Sequence, residues 1–365
     1  MTDTCPATTD AEPRAATTDP PDPTGRSTLP GVLVVACVRD EEAYLADAVS
    51  SVLGQDYAGP MQLVLAVGPS NDATAEIAAA LADDDPRVQL VDSPTGSRSI
   101  GLNAAISRAD GAEVILRVDG HTVLPADYVQ RCVATLRRTG AVGTGGLMRP
   151  VGTTTVQRAA ARAMSHPAGI GSASFHVGGA EGPAETVYLG AFRRAAVEAV
   201  GGYDPSLVRA EDWDLCHRLR RAGGTLWFDP DLEVTYRPRR TVGAVAKQFW
   251  RTGMWRREVI RRDRSTASLR YLAPPAVVLA TTASVVAALL GVVVGAPALL
   301  LAGSAVPMLY ALGLLAASAH AAVRSPRLGL AEAAVLPLVM ATMHLAWGAG
   351  FVRGLTDRAV VDHRA

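Results

Sequence analysis

Asp119 and His121 stand two positions apart at the end of the run Ile115-Leu116-Arg117-Val118. Alternation along an extended chain puts positions i and i+2 on one side, so a carboxylate and an imidazole can face one cation together, with Gly120 between them free to turn sharply. By themselves the same residues read as a strand end followed by a polar turn. A second acidic group, Glu211-Asp212-Trp213-Asp214, stands just ahead of the apolar positions Leu215 and Leu219. It reads as the first turn of a solvated helix, where acidic side chains complement the helix dipole, or as a source of carboxylates for proton transfer. Both hold together, because a helix start beyond a sheet edge is a suitable place for a base.

The elements that would position these groups alternate between strand and helix from Gly31 onward. Val32 to Val38 is a buried-strand run, Glu42 to Leu53 has helical spacing through Leu45, Val49 and Val52, and Met61 to Val67 is a second strand. Ser70-Asn71-Asp72 caps a helix through Ile77 and Leu81, and Val88 to Val91, Ser99 to Ser107 and Val114 to Val118 continue as strand, helix, strand. This alternation predicts parallel pairing with right-handed crossovers, an α/β layer fold whose ligands bind beyond the carboxyl ends of the strands. Polar residues follow each predicted strand there: Arg39, Asp40 and Glu41, then Ser70 and Asp72, then Gly96 and Arg98, then Asp119 and His121.

In order and spacing, Val35-Ala36-Cys37-Val38-Arg39-Asp40-Glu41-Glu42, Gly68-Pro69-Ser70-Asn71-Asp72, Gly96-Ser97-Arg98-Ser99-Ile100-Gly101-Leu102-Asn103 and Arg117-Val118-Asp119-Gly120-His121 resemble the inverting glycosyltransferases of family 2. Tyr188-Leu189-Gly190-Ala191-Phe192, Gly201-Gly202-Tyr203-Asp204 and Glu211-Asp212-Trp213-Asp214-Leu215 are similar to the acceptor-side half of that domain. The likeness covers residues 30 to about 260 and is similar to the succinoglycan-type glucosyltransferase branch of bacterial exopolysaccharide assembly. It implies a nucleotide-diphospho-sugar transferase (GT-A) fold with a mostly parallel sheet, and transfer of a sugar from a nucleotide-diphosphate-sugar.

The resemblance also implies roles. A divalent metal, Mn²⁺ or Mg²⁺, neutralises the diphosphate leaving group and would be held by Asp119 and His121, the imidazole leaning the choice towards Mn²⁺. Asp40, Glu41, Asp72, Arg98, Asn103 and Asp119 are expected at the nucleotide-sugar, although Asp40 and Glu41 could equally cap the helix after the first strand. Asp212, beside Glu211, is expected as the base, and direct displacement with one base gives a β product from an α-linked donor. Gly190, Gln248 and Arg251 are expected on the acceptor side. His176 and His217 are read as structural or surface residues, and Arg193 and Arg194 as a solvated pair. Two carboxylates customary in the family are absent: Val67 and Gly68 stand where an acidic pair is usual, and Arg117-Val118-Asp119 replaces Asp-x-Asp. Alternatives are therefore a processive synthase, for which Thr252 breaks the Gln-x-x-Arg-Trp pattern, and an inactive nucleotide-sugar-binding scaffold.

The 365 residues are 49% hydrophobic, and the 35 basic and 35 acidic side chains thin out after Arg270, so part of the chain is expected outside water. A nucleic-acid partner is not expected. Four scattered cysteines form no Cys-x-x-Cys pair and read as reduced thiols of a cytosolic compartment. Residues 1–28 are expected as a disordered tail without a secretory signal, followed by a GT-A domain over 29–245. A basic, aromatic segment, 246–271, suits an anionic membrane surface. The membrane domain, 272–353, contains apolar runs at about 276–294, 298–319 and 330–352, each close to the roughly 20 residues that cross a bilayer core, before a tail at 354–365. Arg324 and Arg327 between the second and third runs place the catalytic domain in the cytoplasm, where a lipid-linked polyprenyl glycan would be the acceptor. A re-entrant third run is the alternative topology.

Overall fold

Seven apolar or small residues in a row, Val32–Val38, form strand β1, which is buried on both faces because it lies in the middle of the sheet. The structure is a computed structural model that describes residues 29–354 apart from 109–110, 208 and 325. The tails expected at either end, with Cys5, lie outside the described residues. Next in the chain come α1 (Leu45–Leu53), β2 (Met61–Val67), α2 (Thr74–Asp84), β3 (Val88–Asp92), α3 (Arg98–Ile106), β4 (Val114–Asp119) and α4 (Tyr128–Thr139). There follow β5 (Gly143–Pro150), α5 (Thr155–Met164), two short helices α6 (Pro167–Ile170) and α7 (Ser174–Val177), β6 (Gly182–Ala184), β7 (Tyr188–Arg193), α8 (Arg194–Ala199), α9 (Glu211–Arg221) and β8 (Leu226–Tyr236). The chain closes with α10 (Val242–Arg262), α11 (Leu269–Val293), α12 (Pro297–Val323) and α13 (Leu330–Arg353).

Among the described residues the strands make one sheet in the order β3-β2-β1-β4-β7-β5-β8-β6. β1 to β4 run parallel, with Cys37 in register with both Ala66 and Asp119 and Val67 with Asp92, so the segments that follow them emerge along one edge. β7 enters antiparallel between β4 and β5, and β8 is parallel to β5. One face of the sheet carries α1, α2 and α4 around Val49, Leu65 and Leu136; the other carries α3, α8 and α9 around Leu102, Val197 and Leu215. The helix expected from Glu42 begins at Leu45 instead. Asp40 takes a left-handed φ of 55°, and the N–H groups of Glu41 and Glu42 donate across to Thr74 and Asp72.

A third core joins the C-terminal helices to the sheet domain: Ala159 and Ala163 of α5, Phe249 of α10, Ala321 of α12 and Met340 of α13 pack together. α10 and α13 lie backbone to backbone. A Cβ on Gly253 would come 2.1 Å from the Trp347 carbonyl oxygen, and one on Gly350 2.1 Å from that of Trp250, so only glycine fits at either place. α11 and α12 leave nearly all of their apolar surface uncovered, 6% of each window being buried, whereas 39% of that of α13 is buried. All three are long and apolar enough to cross a membrane. α11 starts at Leu269, ahead of the expected residue 276, and α12 runs on to Val323, past 319.

The basic segment is more inward than its composition implies. Trp255 is 7% exposed, and Arg261 and Arg262 pair with Glu258 on the same helix. His320 meets His166 at 3.4 Å and His344 meets the Ala168 carbonyl at 2.7 Å, so both histidines of the apolar helices touch the sheet domain around α6. Cys37, Cys132 and Cys216 are free thiols.

Candidate active site

β4 ends on Asp119, and two residues earlier Arg117 projects from the same face into the centre of the charged cluster. Its side chain is 5% exposed; Nη2 donates to Asp119 Oδ1 at 2.7 Å, Nη1 donates to Asp212 Oδ2, and Glu211 Oε1 is 3.9 Å from Nη2. Arg98, the first residue of α3, donates to the same Glu211 oxygen at 3.0 Å. Burial alone would disfavour every one of these charges, and together they keep one another ionised. Burial pulls the Arg117 guanidinium down, but Asp119, Asp212 and Glu211 more than reverse it and hold it well above its ordinary value. Asp119 is pushed up by burial and pulled further down by Arg117, Arg98 and His121, so its carboxyl lies below the usual range.

Asp212 behaves differently. Ala210, with φ 63°, swings α9 so that Glu211 turns inward, 2% exposed, and Asp212 borders the cleft. Desolvation pushes the Asp212 carboxyl up to about 6, Arg117 opposing and Glu211 adding to it. Oδ2 is held by Arg117, whereas Oδ1 is buried and has no hydrogen-bond partner among the described residues. One oxygen is thus fixed by the guanidinium and the other is enclosed, while the side chain as a whole stays 37% exposed at the cleft.

His121 Nδ1 is 2.7 Å from Glu41 Oε1, and this hydrogen bond raises the imidazole above its ordinary value. The charged pair is present below that raised midpoint and weakens as pH rises through it. In Glu41→Gln the His121 ring protons are expected to titrate at lower pH than in the wild type when followed by NMR; an unchanged midpoint would show that the pair is not formed. A carboxylate on one ring nitrogen leaves Nε2 for a metal, the usual partner arrangement of a metal-binding histidine. Among the described residues no three His, Cys, Asp or Glu side chains converge as a metal site. Asp119 and His121 are the pair that would hold a divalent ion, which would supply positive charge beside a diphosphate.

The other predicted residues divide. Asp40 Oδ1 accepts from the Asn71 N–H at 2.8 Å, and Asp72 accepts from the N–H groups of Glu42 and Thr74, so both carboxylates brace the loops after β1 and β2 against each other. Asn103 clasps the Tyr203 backbone: Nδ2 donates to its carbonyl at 2.7 Å and Oδ1 accepts from its N–H at 2.8 Å. Gly190 lies inside β7, where a Cβ would meet Phe192 at 2.5 Å. Arg193 is exposed and donates to the carbonyls of Ala141 and Leu136. Gln248 borders the cleft and donates to the Tyr236 hydroxyl at 3.1 Å, while Arg251 lies near enough to Arg209 for the two cations to repel. His217 stacks on Trp213 and meets Asp263 at 3.0 Å.

What residue spacing did not reveal is a cavity of about 360 Å³ on the Asp212 side. His176 and Arg256 border it, the first read from sequence as structural or surface and the second as part of a membrane-facing run. No local signal could have found them, because the wall draws on residues from Arg98 to Trp347.

The charged cluster and the cleft lie beyond the carboxyl ends of the parallel strands, where open α/β sheets bind their ligands. The chain belongs to the glycosyltransferase like family 2, whose family model matches residues 30–254, and it is a glycosyltransferase. It is 34% identical over 304 residues to the succinoglycan biosynthesis protein ExoA of Rhizobium meliloti (strain 1021), covering 81% of this chain and 86% of that protein. An N-acetylglucosaminyltransferase of Bradyrhizobium diazoefficiens is 34% identical over 112 residues, 30% of this chain and 22% of that protein. Among solved structures, the mannosyltransferase PcManGT from Pyrobaculum calidifontis, in complex with GDP-Man and Mn²⁺, superposes with a TM-score of 0.55 at 19% identity, over 90% of this chain and 88% of that one.

Proposed function

We propose that the enzyme transfers a sugar with inversion from a nucleotide-diphosphate-sugar, bound on the Arg98, Asp119 and His121 side, to a hydroxyl of a lipid-linked glycan on the Asp212 side. The observation that carries this reading is the Asp212 carboxylate at the cleft, 37% exposed and fixed through Oδ2 by Arg117. The acceptor hydroxyl donates to the Asp212 carboxylate and passes its proton there as its oxygen attacks the anomeric carbon. The bond from that carbon to the diphosphate breaks on the opposite face, and the nucleotide diphosphate leaves. Arg98 starts α3, where N–H groups and the helix dipole favour phosphate. A divalent metal held by Asp119 and His121 would supply further positive charge for the leaving group, with Mn²⁺ suited to the imidazole. A mannosyltransferase of the same fold carries GDP-Man and Mn²⁺, and the ExoA relative belongs to succinoglycan biosynthesis, both in keeping with this assignment.

α11 and α12 would cross the membrane, with α13 tying that pair to the sheet domain. Arg264 and Arg270 at the head of α11, with Arg324 and Arg327 after α12, support a cytoplasmic catalytic domain by the excess of basic residues on the inner side. The direct test uses purified full-length protein with a panel of UDP- and GDP-sugars and a polyprenyl-diphosphate-linked monosaccharide. One donor should release nucleotide when the lipid acceptor is present, and EDTA should slow the release. Release that never depends on the lipid acceptor would contradict the assignment.

A further inference from the structure

Where the sheet domain meets the C-terminal helices, four residues that line the 360 Å³ cavity each have a buried polar atom without a hydrogen-bond partner among the described residues: Asp212 Oδ1, Arg256 Nη1, His176 Nδ1 and Trp347 Nε1. Buried polar atoms are nearly always hydrogen-bonded, so several bare ones around one cavity call for a ligand that completes them. Asp212 needs a hydroxyl donor. Arg256 and Trp347 need acceptor oxygens, and His176, held neutral at ordinary pH by burial, can serve either way.

Arg256 is the informative member. Its guanidinium lies between two aromatic rings, 4.0 Å from the centre of Tyr271 and 4.6 Å from that of Trp213, and no carboxylate pairs with it among the described residues. The nearby Arg270 has Glu185 as its partner. A desolvated cation held by ring faces alone lacks the anion that would offset its burial. Phe249 and Trp255 of α10 give the same cavity an apolar wall on the side of the helices that suit a membrane. Trp213, on which Arg256 stacks, is the residue after Asp212, so the anion site and the base belong to one pocket.

We propose that this cavity binds the phosphate of a lipid-carried glycosyl phosphate, with Arg256 as the anion-binding residue and the hydrocarbon chain leaving along Phe249 and Trp255. The proposal rests on the reading of the acceptor given above. Binding can be followed by tryptophan fluorescence of full-length protein in detergent, with the nucleotide site saturated by UDP or GDP, using farnesyl diphosphate, farnesol and inorganic pyrophosphate as probes. Farnesyl diphosphate should bind at least about tenfold more tightly than farnesol, and Arg256→Gln should shrink that preference to about twofold while nucleotide binding is kept. Arg256→Lys, which keeps the charge and loses the fork, should fall between, and it carries the test where Arg256→Gln no longer binds nucleotide. Equal binding of farnesol and farnesyl diphosphate by the wild type, or a preference untouched in the folded variants, overturns the proposal. Pyrophosphate competing as well as farnesyl diphosphate overturns the lipid source. Asp212→Asn separates the two readings: transfer surviving in that variant removes the base, whereas the farnesyl diphosphate preference speaks only to Arg256.

Discussion

Asp212→Asn is expected to lower sugar transfer by at least about 10²-fold with nucleotide binding unchanged, because an amide of the same shape cannot take the acceptor's proton. The side chain would still sit between Arg117 and the cavity, so the loss would report chemistry and not collapse of the site. Wild-type activity should fall as pH drops through about 6, where the desolvated carboxyl of Asp212 becomes protonated, and the residual activity of the variant should lack that limb. Stability moves in the opposite sense. A carboxyl whose folded value is raised supports the fold at low pH and loses that contribution as pH rises through about 6, so the neutral amide should melt no lower than the wild type at pH 7. Turnover and pH profile measured on the same membrane-bound preparations decide it; unchanged turnover removes Asp212 as the base.

Arg117→Leu is expected to be the most destabilising single change in the site, about 3–5 kcal/mol, because it leaves buried carboxylates without the cation they share. Asp119, Asp212 and Glu211 all lie within 4 Å of its guanidinium, and Glu211 keeps only Arg98. Transfer should be lost as well, since the base would no longer be fixed. Arg117→Lys restores the charge and not the geometry, for a single ammonium cannot reproduce a planar fork whose two nitrogens hold Asp119 and Asp212. Denaturant unfolding of the full chain in detergent measures the effect, and wild-type stability in Arg117→Leu would mean that the carboxylates are held apart by something else.

Arg117 also shows where sequence reading reached its limit. Compared with the Asp-x-Asp customary in the family, Arg117-Val118-Asp119 looked like a lost carboxylate. In three dimensions the arginine links the metal-side Asp119 to the proposed base, a relation between positions 95 residues apart that no local pattern carries. β1, β2 and β4 were legible because buried parallel strands are continuous apolar runs. β5 was not, since Gly143-Thr144-Gly145-Gly146 has no apolar period; its glycines are needed where Gly146 passes the Leu232 carbonyl too closely for any Cβ. Asp40, Asp72 and Asn103 were rightly found as polar groups beyond or beside strand ends, but polarity does not distinguish a ligand contact from a loop brace. In the basic run of α10, composition says nothing of which side chain turns inward: Arg256 lies between Trp213 and Tyr271, rings that come from other parts of the chain.

The anomeric configuration of the product tests direct displacement at one carboxylate most closely. With an α-linked nucleotide sugar as donor, NMR of the purified glycolipid should show a β linkage, since one attack from the face opposite the diphosphate inverts that carbon. An α linkage would require a second displacement or a different face of attack, and would contradict the single-base mechanism at Asp212.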